Sequence, residues 1–392
     1  MNHILKCHDI VKTDFVHGKG CYLYDRQGRR YVDFESGTWA ASLGHSHPRI
    51  NQVMEEQIRE VIHLGTRYPS DLAEEAAIDI LQITDIERGK CVFLSSGSEA
   101  VEFGADAVRC VTGKNRLLTF SNSYLSAFGS TGRKSSDEWE LFDWRDCEES
   151  AWEQSLKKIP FERLGGFVFE PGGSGIGFVR FPPRRLVQEI AQRVKQAEGL
   201  VVANEITTGM GRTGKWFGFQ HYDVQPDVVA IGKGLGNGYP VSAVAMTESV
   251  AEKLEDGGFH YAQSHQNDPL GCRVAKEVIA VMHEGDWIER GNKLGAQFLE
   301  GLKHLEEKYA LVKEARGRGM LLALEFQPNE SFSAATAYRA LLEEGYLAGY
   351  YPAGNILRFD PSLTIEEQDI TCLLGALDVI LQSTRTPGPI IS

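Results

Sequence analysis

The sequence predicts an α/β fold, in which a largely parallel sheet is covered by helices and is followed by a smaller α+β domain. Between about residues 90 and 246, short apolar runs alternate with helical segments, as they do where crossover helices join parallel strands. After about residue 270, long helical stretches surround two strand-like runs at 319–326 and 355–359. A chain of 392 residues is also long enough for two or more domains and a large core.

The first predicted element is a β-hairpin at residues 20–34, where two aromatic-rich alternating runs flank a turn at 25–28. In the loop that follows, His45 and His47 have a spacing that would suit a metal ion. Since no Cys, Asp or Glu cluster accompanies the two histidines, we predict no metal site.

The remaining elements are predicted from periodicity and from capping residues. Helices are expected at 48–62, 70–83, 183–198, 270–308, 333–344 and 364–382. Strands of the parallel sheet are expected at 116–120, 164–170, 200–205, 227–231 and 240–246.

An apolar strand, a Ser/Gly turn and an alanine-rich helix are predicted at residues 90–110. The N–H groups at the start of this helix, together with the hydroxyls of Ser96 and Ser98, would form a binding site for a phosphate group. The alternative is a plain helix cap, in which Ser98 closes the helix and Glu102 assists. These residues alone favour neither interpretation.

A single lysine, Lys233, stands among glycines directly after the apolar run 227–231. If it is buried, desolvation lowers the pKa of its amine, and the free amine can condense with an aldehyde. The alternative is a surface cation in a glycine turn. Glu170 and Asn204 end two other predicted strands, and ligands of parallel sheets collect at the carboxyl ends of strands.

Composition excludes several classes of protein. The formal charge of −13 argues against a general nucleic-acid or anionic-membrane binder. Seven scattered cysteines without CxxC spacing suit a reducing compartment and indicate neither zinc nor disulfides. The N-terminus has no charged segment before an apolar run, and no window reaches about 18 uninterrupted apolar residues. We therefore expect a cytoplasmic protein with no nucleic-acid and no membrane partner.

Several short motifs occur in a fixed order along the chain. They are Leu43-Gly-His-Ser-His-Pro48, Gly97-Ser-Glu-Ala100, Tyr124 in Asn122-Ser-Tyr-Leu125, Glu170-Pro171, Asn204-Glu-Ile-Thr-Thr-Gly-Met-Gly-Arg-Thr-Gly214, Pro226-Asp227, Lys233-Gly-Leu-Gly236 and Leu357-Arg-Phe359. A lone lysine among glycines is a weak signal, but the ordered set is specific. It resembles the class III pyridoxal-phosphate aminotransferases, the acetylornithine, ornithine and ω-amino-acid group, and the likeness covers about residues 18–380.

The resemblance implies the PLP-dependent transferase fold of the aspartate aminotransferase type. A large cofactor-binding domain at 49–270 would hold a mostly parallel seven-stranded sheet, and a small domain would combine residues 1–48 with 271–392. The resemblance also implies a homodimer whose active sites lie between the subunits.

Site residues follow from the same resemblance. Lys233 is similar to the lysine that forms a Schiff base with pyridoxal 5'-phosphate and then moves a proton as general base and acid. Arg358 is similar to the arginine that receives a substrate carboxylate, and Trp39 is assigned to substrate binding beside it. The other implied cofactor-binding residues are Ser96, Gly97 and Ser98 at the phosphate, Tyr124 stacked on the ring, Glu170, Asn204, Thr207, and Ser264, which would reach the phosphate of the neighbouring subunit.

Three of these assignments have plain structural alternatives. Tyr124 would then be an ordinary core residue, Arg358 a member of a surface ion pair, and Ser264 a helix cap.

Asn204 is the main departure from the family pattern, which usually has Asp at this position. The Asp charge keeps the pyridine nitrogen of the cofactor protonated, whereas a neutral amide does not, so we expect a weaker electron sink. A retuned natural aminotransferase, a changed reaction, and a substitution made to trap an intermediate are the three explanations.

Smaller departures bear on the substrate. Thr207 replaces a common Gln, Leu125 replaces a common His, and residues 170–177 lack the usual Gln-Gly-Glu. These differences put ornithine-type specificity in doubt but leave the cofactor assignment intact.

The predicted activity is the transfer of an amino group between an amino acid, ω-amino acid or amine and a 2-oxo acid. One alternative keeps the cofactor and is a racemase, aminomutase or lyase. Another is a catalytically silent binding protein that retains the fold.

Overall fold

The computed structural model describes residues 3–8, 10–12, 14–145, 149–173 and 178–384. Its strands are β1 (Phe15–Lys19), β2 (Tyr22–Asp25), β3 (Arg30–Asp33), β4 (Gly89–Leu94), β5 (Arg116–Phe120), β6 (Trp139–Phe142), β7 (Leu164–Phe169), β8 (Leu200–Asn204), β9 (Val228–Ile231), β10 (Ser242–Thr247), β11 (Val312–Arg318), β12 (Leu321–Phe326), β13 (Tyr346–Leu347), β14 (Gly349–Tyr351) and β15 (Ile356–Phe359).

The helices are α1 (Ser36–Trp39), α2 (Pro48–Ile58), α3 (Asp71–Ile83), α4 (Gly97–Thr112), α5 (Gly129–Arg133), α6 (Glu149–Leu156), α7 (Arg184–Gln196), α8 (Glu248–Asp256), α9 (Pro269–Glu284), α10 (Trp287–Lys308), α11 (Ala334–Glu343) and α12 (Glu367–Ser383). Within the described parts of the chain, none of them combines the length and the apolar character needed to cross a membrane.

A seven-stranded sheet in the order β4-β10-β9-β8-β7-β5-β6 forms the centre of the molecule. The five strands from β9 to β6 run parallel, and only β10 is antiparallel to its neighbours β4 and β9. Every residue of β7 and β9 is buried, as expected for parallel strands covered on both faces. Helix α4 packs against β7 to β10, and α7 packs against β7 and β8. The predicted sheet is confirmed.

Two smaller sheets complete the fold. In the first, β1-β2-β3-β13, the pairing of β2 with β3 confirms the predicted hairpin. Strand β13 lies parallel to β3, with Tyr346 opposite Val32, so segments from both ends of the chain share this sheet. The second sheet, β11-β12-β15-β14, is antiparallel. This smaller sheet region beside the large sheet agrees with the predicted fold class.

Three predicted helices have clearly different bounds in the structure. The helix expected at 364–382 begins at Glu367. The helix expected at 48–62 ends at Ile58. The helix expected at 270–308 is two helices, α9 and α10, because Asp286 between them has φ 49°, which a right-handed helix does not allow. The predicted cap of α3 is confirmed, since the Ser70 side chain accepts a hydrogen bond from the Leu72 N–H.

The register of the central strands brings three candidate site residues to one edge. Asn204 is the last residue of β8 and lies opposite Ala230 of β9. Glu170 follows β7 directly, and Lys233 follows β9 by two residues. The adjacent carboxyl ends of β7, β8 and β9 thus carry all three.

Candidate active site

A cavity of about 670 Å³ lies at this edge of the central sheet. Its wall combines the sheet edge with residues of the N-terminal loop and of the C-terminal sheet. Six predicted site residues line it: Trp39, Tyr124, Glu170, Thr207, Lys233 and Arg358. The other predicted site residues do not line it within the described part of the chain: Ser96, Gly97, Ser98, Asn204 and Ser264.

Lys233 begins the 3₁₀ turn Lys233–Gly236 with φ 43°, a left-handed conformation that is strained for a residue other than glycine. Its Nζ donates a hydrogen bond of 3.0 Å to the Thr207 hydroxyl and lies 4.4 Å from the centroid of the Trp39 ring. Burial lowers the pKa of the amine to about 8, an effect that the charge of Glu170 partly opposes. Lys233 is therefore a cavity residue with an accessible neutral form, and the interpretation as a surface cation is wrong.

Asn204 connects the sheet edge to the loop that carries Tyr124. Its side chain is 2% exposed; Nδ2 donates to the Tyr124 carbonyl at 3.2 Å, and Oδ1 accepts from the Ile206 N–H at 3.2 Å. The Tyr124 N–H donates to the Glu170 carboxylate at 3.3 Å. Tyr124 is 38% exposed and lines the cavity, so it is not an ordinary core residue.

The start of α4 is capped by residues other than those expected. The Ser96 hydroxyl accepts from the Glu99 N–H at 3.3 Å, while the Glu99 carboxylate accepts from the Ser96 N–H at 2.8 Å, which is a reciprocal capping box. The cap alternative built on Ser98 and Glu102 is wrong. The Ser98 hydroxyl accepts instead from the Ala127 N–H at 2.9 Å.

Gly97 lets the start of α4 approach the loops after β8 and β9. A Cβ at this position would lie 2.6 Å from Cγ2 of Ile206, and a Cβ at Gly232 would lie 3.5 Å from Cα of Gly97. The first turn of this 16-residue helix therefore stands directly beside the Lys233 segment. The first N–H groups of a helix are a ready anion site. The N–H donors at the start of α4 therefore lie beside the Lys233 segment, and this set of donors suits the phosphate group of a molecule that reaches Lys233.

Arg358, in β15, forms the opposite end of the site. It is 4% exposed; Nε donates to Asp360 at 2.9 Å and Nη2 donates to Glu35 at 3.1 Å. Its guanidinium carbon lies 4.0 Å from the centroid of the Trp39 ring, so this arginine is not a surface ion-pair member. Burial, with the nearby Asp360 charge, raises the pKa of Glu35 to about 7, although Arg358 opposes the shift.

Glu35 is a cavity residue that the sequence analysis missed. It directly precedes a turn, Ser36–Trp39, in which all four residues have φ between 50° and 68°. Such left-handed conformations cost roughly 1–2 kcal/mol for each residue other than glycine. The Asp33 carboxylate supports the turn by accepting from the N–H groups of Glu35 at 2.8 Å and Ser36 at 3.0 Å. The sequence signal that could have identified Glu35 is a carboxylate close to Trp39 in a loop of small residues.

Ser264 lies outside the cavity, exposed in the turn before α9. The N-cap of α9 is Asp268, so Ser264 is not a helix cap. His45, one of the two loop histidines, pairs with Asp33 at 2.7 Å.

An amine of lowered pKa, a helix start shaped for a phosphate, an adjacent aromatic ring and a buried arginine meet at the carboxyl edge of a mostly parallel sheet. These features define a pyridoxal-phosphate-dependent enzyme with the aminotransferase type of fold. The residues present fit this cofactor.

Comparison with known proteins identifies the family. The family model described as aminotransferase class-III matches residues 6–381, and the chain belongs to this family. An acetylornithine aminotransferase of Aquifex aeolicus is 29% identical over 395 residues, which cover 97% of this chain and 100% of the relative. A LysW-aminoadipate semialdehyde/glutamate semialdehyde transaminase of Sulfolobus acidocaldarius is 28% identical, with 91% of each chain covered.

Solved structures agree with the curated relatives. The crystal structure of acetylornithine aminotransferase from Elizabethkingia anophelis has a TM-score of 0.85 and 26% identity, covering 97% of this chain and 96% of that one. An ornithine δ-aminotransferase of Plasmodium falciparum has a TM-score of 0.85 and 25% identity, with the same coverage.

The family assignment confirms the predicted class, cofactor and activity. The chain is a pyridoxal-phosphate-dependent aminotransferase that transfers an amino group between amino-acid and 2-oxo-acid substrates. The interpretation as a silent binding protein is wrong, and the family assignment favours amino transfer over racemase, aminomutase or lyase chemistry.

Proposed function

We propose that Lys233 binds pyridoxal phosphate covalently through a Schiff base and, once the substrate has displaced it, moves the proton at the substrate Cα. The observation that carries this proposal is the lowered pKa of an amine that points into the cavity beside Thr207. A neutral amine is needed both to attack an aldehyde and to accept a proton. The bound cofactor supplies the electron sink for Cα–H cleavage.

Arg358 is proposed to hold the substrate carboxylate. The Trp39 ring lies between two cations, with Lys233 Nζ 4.4 Å and the Arg358 guanidinium carbon 4.0 Å from its centroid. A substrate whose carboxylate pairs with Arg358 therefore directs its amino group toward Lys233 across the indole. A guanidinium suits this task because its paired N–H donors match a carboxylate.

Glu35 is proposed to compete with the substrate for Arg358. The ion pair of 3.1 Å between them occupies donors that a substrate carboxylate needs. When the carboxylate arrives, Glu35 must turn away or become protonated, and its pKa of about 7 makes protonation accessible. A donor amine without a carboxylate would leave the pair intact, so one cavity accommodates both types of substrate.

Borohydride reduction of the cofactor-loaded protein, followed by peptide mass spectrometry, tests the role of Lys233. We expect the pyridoxyl group on Lys233 and its absence in Lys233→Ala. A label on another lysine would reject the assignment.

A panel of amino acids, ω-amino acids and amines, each with pyruvate or 2-oxoglutarate, tests the reaction. We expect amino transfer for at least one pair. Loss of chirality or release of ammonia, without transfer to any acceptor, would contradict the aminotransferase activity.

A homodimer with active sites between the subunits is proposed from the surface near Ser264. Segment 58–68 exposes four large apolar side chains, and His63 in this segment contacts Asp268 at 2.7 Å, next to the Ser264 turn. The exposed side chains are Ile58 at 58%, Val61 at 48%, Ile62 at 46% and Tyr68 at 69%. Burying such residues favours association.

Sedimentation velocity tests the assembly. The wild-type chain should sediment as a dimer, and Ile62→Glu should sediment as a monomer. Ser264→Ala should remain a dimer but lose cofactor faster on dialysis. A wild-type monomer at micromolar concentration would contradict the proposal.

A cytoplasmic location is proposed from the cysteines, because the six described ones are all free thiols.

A further inference from the structure

A cluster of two histidines and one aspartate lies on the surface outside the active-site cavity. His63 comes from the segment after α2, His265 from the turn before α9, and Asp268 from the residue that precedes α9. The Nδ1 atoms of His63 and His265 lie 2.7 Å and 2.6 Å from the two carboxylate oxygens of Asp268. One ligand atom from each residue lies within 4.8 Å of the others.

We propose that His63, His265 and Asp268 form a binding site for a divalent transition metal, for which Zn²⁺ is the best-suited ion. Imidazole nitrogens select such metals, whereas Mg²⁺ and Ca²⁺ require sets of oxygen ligands. Two histidines and one carboxylate form a three-ligand zinc site with a position left for water.

The backbone and side chain of Asp268 indicate that its carboxylate is directed toward the histidines. Asp268 occupies the N-cap position of α9, where an aspartate ordinarily accepts a hydrogen bond from the first helical turn. Its side chain makes no such cap bond here, and both oxygens face the two imidazole rings. The usual capping interaction is replaced by contacts with two potential metal ligands.

The observed spacing accommodates an ion after small shifts. Zinc binds nitrogen and oxygen ligands at about 2.0–2.2 Å in a tetrahedron, which places ligands about 3.4 Å from each other. The atoms that are now 2.6 Å and 2.7 Å apart would separate by less than about 1 Å, and no pair of ligand atoms, all within 4.8 Å of one another, would approach by more than about 1.4 Å. In the single chain, the His63 and His265 side chains are 45% and 62% exposed, so both rings can adjust their positions.

Metal binding at this cluster would join three separate parts of one chain. It would attach the segment after α2 to the start of α9 and would fix the turn that carries Ser264. All three ligands belong to the same chain, and they lie on the surface that is proposed as the subunit interface.

Calorimetric titration of untagged, cofactor-loaded protein, dialysed first against a chelator, tests the site. Zn²⁺ should bind with one ion per chain, Mg²⁺ should not bind there, and Co²⁺ should give a visible absorption band. The ligand variants are His63→Ala, His265→Ala and Asp268→Asn. His304→Ala, at an exposed histidine on α10, is the matched control.

Loss of a residue that only hydrogen-bonds a metal ligand lowers metal affinity by about 10- to 100-fold. Each ligand variant should therefore lower Zn²⁺ affinity by more than this, and His304→Ala should bind Zn²⁺ as wild type does. Zn²⁺ should also raise the Tm of wild type and of the control only. Absence of saturable binding would overturn the proposal, as would unchanged affinity in His63→Ala and His265→Ala. These two exposed positions decide the question even if Asp268→Asn weakens α9.

Discussion

The amine of Lys233 should titrate near neutral pH, because burial lowers its pKa from 10.5 to about 8. Below pH 8 the amine is mainly protonated and unreactive, so the rate at which apoprotein takes up pyridoxal phosphate should rise about tenfold per pH unit and level off above pH 8. Stopped-flow absorbance at several pH values measures this rate. A rate that keeps rising toward pH 10.5 would mean that the amine is not desolvated.

Replacement of Asn204 by Asp should have opposite effects on chemistry and on stability. A carboxylate would hold the cofactor ring nitrogen protonated, and Cα–H cleavage should speed up by at most about tenfold for each pKa unit that the nitrogen gains. The Tyr124 carbonyl would lose the donor that now lies 3.2 Å away, which should cost the apoprotein about 1–3 kcal/mol.

Single-turnover half-reactions with Cα-deuterated and ordinary donors measure the first effect of Asn204→Asp, and urea denaturation of the apoprotein measures the second. An Asp variant that is no faster would refute the electron-sink argument. Unchanged stability would show that the Tyr124 contact contributes little.

Replacement of Glu35 by Gln should change how the 2-oxo acid binds. Above its pKa of about 7, Glu35 is ionised and occupies Arg358; below it, the neutral carboxyl competes less. The KM of wild type for the 2-oxo acid should therefore rise as pH increases through 7. In Glu35→Gln, the KM should be lower at pH 8 and nearly independent of pH.

Steady-state kinetics between pH 6 and pH 8.5 test the competition by Glu35. Arg358→Lys, which keeps the charge but loses the paired donors, should raise the KM for the acceptor at every pH. A KM of wild type that does not respond to pH would reject the competition.

Helix α4 contains two glycines, Gly97 and Gly104, whose surroundings differ. An alanine at Gly97 would place its Cβ 2.6 Å from Ile206, whereas a Cβ at Gly104 would lie 3.3 Å from its nearest neighbour, Val202. Gly97→Ala should displace the helix start, cost about 1–3 kcal/mol and weaken cofactor binding. Gly104→Ala, on the same helix, should have little effect, since alanine also favours a helix by up to about 1 kcal/mol.

Thermal unfolding and cofactor titration of the two glycine variants distinguish these outcomes. Equal cofactor affinity in both variants would mean that the start of α4 does not hold the phosphate.

Local sequence patterns predict the presence of helices and strands better than they predict the residues that cap helices or form turns. The Ser70 cap is predicted correctly, whereas the cap alternative for α4 names Ser98 although Ser96 and Glu99 fit the S-x-x-E capping pattern. The left-handed turn Ser36–Trp39 could not be predicted, because only its glycine suits that conformation. Tertiary contacts with Asp33 stabilise the rest of the turn.

At the scale of the molecule, strand order made the site partly predictable. Glu170, Asn204 and Lys233 end neighbouring parallel strands, so periodicity alone brought them to one edge. Glu35 comes from the N-terminal loop and meets Arg358, 323 positions away, through packing of separate sheets. No local sequence pattern predicts such a contact. The proposed contact of Ser264 with the phosphate of the neighbouring subunit cannot be examined in a single chain.

Arg212 connects these separate parts of the molecule. It is 1% exposed and lies in the loop after β8, from which Nη1 donates to the carbonyls of Met320 at 3.1 Å and of Pro361, next to β12 and β15. Burial lowers its pKa to about 10, while the nearby carboxylates of Asp360 and Asp33 favour its charge.

Replacement of Arg212 by Met keeps the bulk of the side chain but removes both hydrogen bonds of Nη1 and the positive charge near buried Asp360. Because the buried carbonyls of Met320 and Pro361 lose their donor, the free energy of unfolding should fall by about 1–3 kcal/mol for each lost hydrogen bond. Arg163→Met, at an exposed arginine, should change it by less than about 0.5 kcal/mol. Urea denaturation measures both values.

The Arg212 charge also lowers the pKa of Lys233, so the pH at which cofactor uptake levels off should rise in Arg212→Met. A stable variant with an unchanged uptake profile would mean that Arg212 neither joins the two sheets nor acts on the site.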